Sequence, residues 1–140
     1  KTRHLNPIRL EKIKNLELER ESLVHKISDK ELMLRANQAP KKPGKREATS
    51  TQYQRDEWVA EAALRRANGI CQLCELPAPF KKKKTGQPYL EVHHVIWLSK
   101  DGDDTLENTV ALCPNCHRKM HSLNLKSDRE KLLEKIKNIV

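Results

Sequence analysis

Along residues 1–38 charged side chains separate the apolar ones, and Ile8, Ile13, Leu16, Val24, Ile27 and Leu34 recur at loosely helical intervals. The spacing predicts helix. Asn6 is placed to cap it, and Pro7 suits its first turn. Ser28-Asp-Lys-Glu31 has the form of a capping box, which predicts two helices rather than one. The apolar repeat is not a sustained heptad, which favours a solvated helical linker over a dimerising or partner-binding stripe. His4 and His25 have no second ligand nearby and read as surface residues. Residues 39–51 begin Ala-Pro-Lys-Lys-Pro-Gly-Lys-Arg, where two prolines and a glycine block regular structure, so a basic linker is expected. It can lie along phosphates or simply be solvated. The expected division is a helical extension and linker over 1–50 and a domain over 51–140.

Residues 54–68 predict a helix whose apolar side is Trp58, Val59, Ala62, Ala63 and Ala67, with Arg55, Arg65 and Arg66 facing elsewhere. Gly69 suits the left-handed position after its end. Pro77, Pro79 and Pro88 around Lys81, Lys82, Lys83 and Lys84 predict a loop over 75–88. Tyr89 to Leu98 alternates imperfectly and carries β-branched residues, so it reads as a strand. Lys100-Asp-Gly-Asp103 supplies a turn and Thr109–Leu112 a second short strand. A helix then carries His117 and His121 and breaks over Leu123-Asn-Leu-Lys126. Ser127-Asp-Arg-Glu130 reads as another capping box, opening a last amphipathic helix with Leu132, Leu133, Ile136 and Ile139.

Composition adds a constraint. Of the 140 residues only 36% are hydrophobic and 4% aromatic, so the core is thin and calls for a staple. Cys71-Gln-Leu-Cys74 and Cys113-Pro-Asn-Cys116 are two knuckles well separated in the chain. With neither a signal peptide nor a transmembrane run, their spacing favours one zinc in a reducing compartment over two disulfides. Four thiolates close a tetrahedral zinc, leaving no place for water or substrate, so its role is structural: pinning the helix 54–68 to the end of the hairpin. Such binding supplies ~10 kcal/mol or more of folding free energy. The setting expected is the cytoplasm of a prokaryotic or phage-type system, with no membrane. The chain opens on a lysine, as a fragment of a longer protein would.

The net charge of +9, from 28 basic and 19 acidic residues, points to an acidic partner, foremost nucleic acid. Zinc on four thiolates plus a second divalent ion leaves that total almost unchanged. Lys81–Lys84 can grip a DNA backbone or form a mobile solubilising tip.

Four of the six histidines fall within residues 93–121. Adjacent His93 and His94 on a strand point to opposite faces, so one metal cannot easily take both. One can bind a metal while its neighbour acts as a base. His117 and His121, four apart on a helix, share a face. Three neutral imidazoles leave metal positions open for a phosphate oxygen and waters. A histidine base, with an ordinary pKa of about 6.5, suits removal of a proton from water near neutrality.

His94, Asn108 and His117, flanked by the C-x-x-C pairs, resemble the HNH endonuclease family. The likeness runs from about Trp58 to His121. It is tightest across Tyr89-Leu-Glu-Val-His-His and Cys-Pro-Asn-Cys-His-Arg-Lys-Met-His, and is especially similar to McrA-type modified-cytosine restriction enzymes. The resemblance implies an α+β fold with a ββα-metal core, a hairpin and a helix around one divalent ion such as Mg²⁺ or Mn²⁺, here flanked by helices. It implies that His93, His117 and His121 are ligands of that ion, that His94 is the general base, and that Asn108 holds His94 by bonding its main chain across the hairpin. Cys71, Cys74, Cys113 and Cys116 become the structural zinc ligands. Trp97 stands where many members have proline, a departure expected to touch loop geometry and not chemistry. Arg118 and Lys119, beside the ligand helix, are candidate phosphate contacts or plain surface charges.

The implied activity is cleavage of double-stranded DNA, in restriction of foreign or modified DNA. The competing reading is a zinc-dependent DNA-binding module without catalysis; the cysteines alone allow it, but it leaves His93, His94, Asn108 and His117 unexplained. Residues 1–38 are the place for a homodimer contact or a fused recognition domain. No residue pattern names a DNA sequence or modification.

Overall fold

Residues 7–139 are described by the computed structural model, so the expected Asn6 cap and the surface reading of His4 lie outside the described residues. The chain divides between Gln52 and Tyr53 into two units. In the first, α1 (Pro7–Lys26) and α2 (Asp29–Gln38) are separated where the capping box predicts. Ser28 is the cap, its hydroxyl accepting the Glu31 N–H at 3.3 Å. Leu16, Val24 and Leu34 are exposed and α2 buries no residue. Residues 40–52 form no regular structure, as their prolines and glycine demand.

The second unit begins with α3 (Glu57–Ala67), shorter at its start than expected. Asp56 explains the difference: its carboxylate accepts the N–H groups of Trp58 at 2.8 Å and Val59 at 3.3 Å, fixing the first turn there. Asn68 and then Gly69 take left-handed backbone (φ 50° and 76°) and end it. Two expectations need correction. Trp58 is 86% exposed, because the buried face of α3 starts at Ala63 and Ala67, one turn further on. Arg66 does not face away: its guanidinium donates to the carbonyls of Leu106 at 3.0 Å and Thr109 at 2.5 Å.

The sheet is a two-stranded antiparallel hairpin of β1 (Glu91–His94) and β2 (Thr109–Leu112), with Val92 opposite Ala111 and His93 opposite Val110. β1 is less than half the length its alternation suggests. After His94 the chain leaves the ladder and turns through Leu98–Lys100. Gly102 permits that turn, since a Cβ there would sit 1.9 Å from the Ile96 carbonyl oxygen.

The outer margin of β2 has no open hydrogen-bonding groups. Buried Gln72, inside the first knuckle, accepts the Ala111 N–H on its side chain at 2.8 Å and donates its own N–H to the Ala111 carbonyl at 3.1 Å. Arg66 takes the Thr109 carbonyl, and the Thr109 N–H goes to Leu106. A one-residue side chain thus stands in for a third strand.

α4 (Pro114–Leu123) grows directly out of the second knuckle, and α5 (Lys126–Asn138) follows a left-handed Asn124. Ser127 lies inside α5 rather than capping it; Leu125 occupies the cap, without a side-chain bond. The core gathers Ala67, Leu73, Leu90, Val95, Val110, Leu112, Met120, Leu132 and Ile136. Leu133 and Ile139, expected on the same face, stay partly exposed. Lys131 and Lys135 of α5 reach back to the carbonyls of Leu73 and Gln72. That small core includes Cys71 and packs against Cys113 and Cys116.

Candidate functional site

The four cysteines come together from two places in the chain: Cys71 and Cys74 on the turn after α3, Cys113 and Cys116 at the start of α4. None is in a disulfide, and their sulfur atoms lie within 4.8 Å of one another. A tetrahedral zinc–thiolate site has sulfurs about 3.8 Å apart, from Zn–S bonds of about 2.3 Å, so the knuckles are close to that shape. The Cys116 N–H points at the Cys113 sulfur, 3.4 Å away. Burial pushes the Cys71 thiol up, but backbone hydrogen bonds at Cys113, Cys74 and Leu73 outweigh it and bring it down to about 7. Burial pushes the Cys113 and Cys116 thiols up, and for Cys116 the adjacent Cys113 adds to this.

At the other end of the hairpin, His93, His117 and His121 each offer one nitrogen, all within 4.8 Å of one another. The Nε2 atoms of His117 and His121 are 3.1 Å apart. Two ligands at right angles on an ion with bonds of about 2.1 Å would be about 3 Å apart. His93 is 2% exposed and its Nε2 is buried with no hydrogen-bond partner. Burial first, then the neighbouring His117, His121, His94 and Arg55, hold its pKa down to about 3, so the ring is neutral and able to ligate. Burial likewise lowers His121.

Glu91 orients the ring of His117. Its Oε1 lies 3.1 Å from Nδ1 of His117, and its Oε2 accepts the Tyr89 hydroxyl at 2.8 Å. The Tyr89 hydrogen bond is the main reason Glu91 lies below the usual carboxylate range. An acceptor-only carboxylate makes Nδ1 the protonated nitrogen and leaves the Nε2 lone pair facing His121.

His94, 5% exposed, takes no part in the three-histidine cluster, as strand alternation predicts. Its Nε2 lies 2.8 Å from Oδ1 of Asp104. Both His93 and His94 nevertheless line one cleft of about 220 Å³ with Tyr53, Arg55, Trp97, His117 and His121.

Asn108 does not bond the main chain of His94. It accepts the Ile96 N–H at 2.8 Å and donates to the carbonyls of Ile96 at 2.9 Å and Asp103 at 2.8 Å. It ties the two ends of the loop after β1, while its own main-chain carbonyl accepts the Val95 N–H at 2.9 Å across the hairpin. Trp97 also differs from expectation: its ring centroid is 5.2 Å from that of His121, so it borders the three-histidine cluster directly.

Arg118 is exposed beside the cluster and adds to the lowering of both Glu91 and His121. Lys119 is paired with Asp128 at 3.2 Å, which engages the charge expected to be free. Lys81, Lys83 and Lys84 are exposed on a tight loop closed at Phe80 and Tyr89, whose rings stack at 4.6 Å; Lys82 is half-buried. Sequence reasoning missed Tyr53, Arg55, Gln72 and Asp104. The loop carrying Asp104 held a signal in its two consecutive aspartates, but nothing in the spacing shows that it folds back on His94.

Residues 71–123 match the family model for HNH endonuclease. Over 81 residues the chain is 51% identical to the type IV methyl-directed restriction enzyme EcoKMcrA of Escherichia coli (strain K12), covering 58% of this chain and 29% of that protein. A stretch of 36 residues is 44% identical to anaredoxin of Nostoc sp., covering 26% of this chain and 47% of that one. Among solved structures, the type IV phosphorothioation-dependent restriction endonuclease ScoMcrA aligns with a TM-score of 0.53 and 33% identity, over 61% of this chain and 17% of that one. The chain therefore spans less than half of each relative. The fold is α+β, with the hairpin and α4 as an HNH-type core and four clustered cysteines able to bind zinc.

Proposed function

We propose that this chain is a metal-dependent DNA endonuclease of the kind that restricts foreign or modified DNA. One observation carries the reading: three imidazole nitrogens converge beside a separate, carboxylate-bound histidine in a single cleft. His93, His117 and His121 are the residues that would hold a divalent ion such as Mg²⁺ or Mn²⁺, and the four cysteines a structural zinc. The ion supplies neutralisation of the charge that builds on the phosphate and on the leaving oxygen.

His94 accepts a proton from water, and the resulting hydroxide oxygen forms a bond to phosphorus in line with the leaving group. The P–O3′ bond breaks, the 3′ oxygen takes up a proton from solvent, and the ends are a 5′-phosphate and a 3′-hydroxyl. Asn108 keeps the loop beyond His94 closed. Arg55 and Arg118, at the cleft and beside it, bind phosphate oxygens, and Lys81–Lys84 add charge along the duplex backbone. The free thiols suit a reducing cytoplasm. Residues 1–50 serve as a helical tether from the nuclease domain, 51–140, to a second copy or a recognition domain. Deleting 1–45 and measuring oligomeric state tests that role. Cleavage of methylated against unmodified DNA by the longest natural form of the chain tests specificity.

The deciding experiment is nicking of supercoiled plasmid with Mg²⁺ or Mn²⁺. The chain is expected to convert plasmid to open-circular or linear form, and His94→Ala to abolish this while keeping zinc and fold. Plasmid that is bound but left intact makes the chain a zinc-dependent DNA-binding module. Full cleavage by His94→Ala removes His94 as the base.

A further inference from the structure

We propose that Asp104 is the positioning residue of the His94 base, an inference that rests on the nuclease reading. Its carboxylate is held at both oxygens. Oδ1 meets Nε2 of His94 at 2.8 Å, and Oδ2 accepts the backbone N–H of Asp56, at the start of α3, at 2.7 Å. A carboxylate fixed on one side by a rigid helix start cannot swing away from the ring on the other. The turn that presents it is secured as well. Asn108 donates to the carbonyl of Asp103, the adjacent residue, and the Gly102 N–H bonds the Trp97 carbonyl at 2.9 Å. Asn108 thus reaches His94 through Asp104. The Asp56 N–H first, and then His94, keep Asp104 below the usual carboxylate range, so it stays an acceptor.

The chemical consequence follows from hydrogen-bond inventory. An ionised carboxylate only accepts, so the ring nitrogen facing it carries the proton. Nε2 is that nitrogen, and Nδ1 keeps the lone pair a base needs. When Nδ1 takes a proton from water, the positive ring lies against a negative partner that is already in place, with no reorganisation. The same carboxylate joins both walls of the cleft, His94 on one and, through Asp56, the Tyr53–Arg55 segment on the other.

The test uses the full chain and single-turnover plasmid nicking with Mn²⁺. Asp104→Asn is expected to slow the chemical step by roughly 10²–10⁴-fold, the range for losing an orienting or general-base group, with DNA affinity within about threefold. Adding it to His94→Ala is expected to cost nothing further, because the two act as one unit. Formate is expected to restore activity to Asp104→Ala saturably and to leave His94→Ala unchanged. For variants that do not fold, ¹⁵N spectra of the wild-type His94 ring give an independent reading, with Nε2 protonated and Nδ1 bare. Asp104→Asn that cleaves normally while His94→Ala is dead overturns the proposal and spares the nuclease reading. So does an Asp104→Asn penalty as large in the His94→Ala background as in wild type, or the opposite tautomer. His94→Ala with full activity overturns the proposal and removes His94 as the base, while the cleavage itself stands.

Discussion

Replacing Asn108 by alanine removes three hydrogen bonds that converge on one 7%-exposed side chain: from the Ile96 N–H, to the Ile96 carbonyl and to the Asp103 carbonyl. Each is worth about 0.5–1.5 kcal/mol net, so the sum spans about 1.5–4.5 kcal/mol. Ile96 is half exposed, and water can replace part of its two bonds, which favours about 2 kcal/mol. That is a large share of the stability of a domain whose total is roughly 5–15 kcal/mol. Urea denaturation of the zinc-loaded chain, followed by circular dichroism, measures it. Asn108→Asp is the sharper probe. It keeps the acceptor for Ile96 but turns a negative oxygen toward two carbonyls, so it is expected to destabilise at least as much as alanine. In plasmid nicking, loosening the loop that carries Asp104 by about 1 Å is expected to cost on the order of 10²-fold for either variant. An alanine variant within 0.5 kcal/mol of wild type, on the order of an ordinary surface change, with full nicking activity would refute the clamp.

Stripping zinc with a strong chelator is expected to unfold the unit beginning at Tyr53 and to release one zinc per chain, read by a colorimetric zinc dye together with loss of helical signal; a chelated chain that stays folded and empty contradicts the structural role. Glu91→Gln is expected to weaken Mn²⁺ binding about 10–100-fold in calorimetric titration while leaving zinc content at one, since only the ring orientation of His117 is loosened; unchanged Mn²⁺ affinity separates Glu91 from the site. Gly102→Ala is expected to destabilise by more than about 1 kcal/mol and to lower nicking, because its methyl would meet the Ile96 carbonyl at 1.9 Å; a thermal midpoint equal to wild type shows that the turn can open.

What the sequence made legible was what rests on local spacing. The C-x-x-C pairs, the four-residue step from His117 to His121 and the alternation of His93 with His94 each fix a relation between near neighbours, and the structure keeps all three relations. Ser28 and its capping box were readable for the same reason. The misreadings came where a distant residue decides. Ser127-Asp-Arg-Glu130 has cap spacing, yet the chain leaving Asn124 has already entered helix at Lys126. Trp58 has the right helical phase but lies a turn short of the core. Asp104, Gln72 and Arg66 act on residues 10, 39 and 43 positions away, pairings that no local pattern encodes.

The way Gln72 closes the flank of β2 links metal supply to solubility. The glutamine lies between the knuckle cysteines Cys71 and Cys74, so on the proposed zinc site a chain without metal loses more than its shape. The backbone groups of Ala111 then stand bare, along a run of apolar residues from Val110 to Leu112 that other chains can pair with. With zinc held as proposed, metal-stripped chain is therefore expected to aggregate rather than to persist as an idle, refoldable pool.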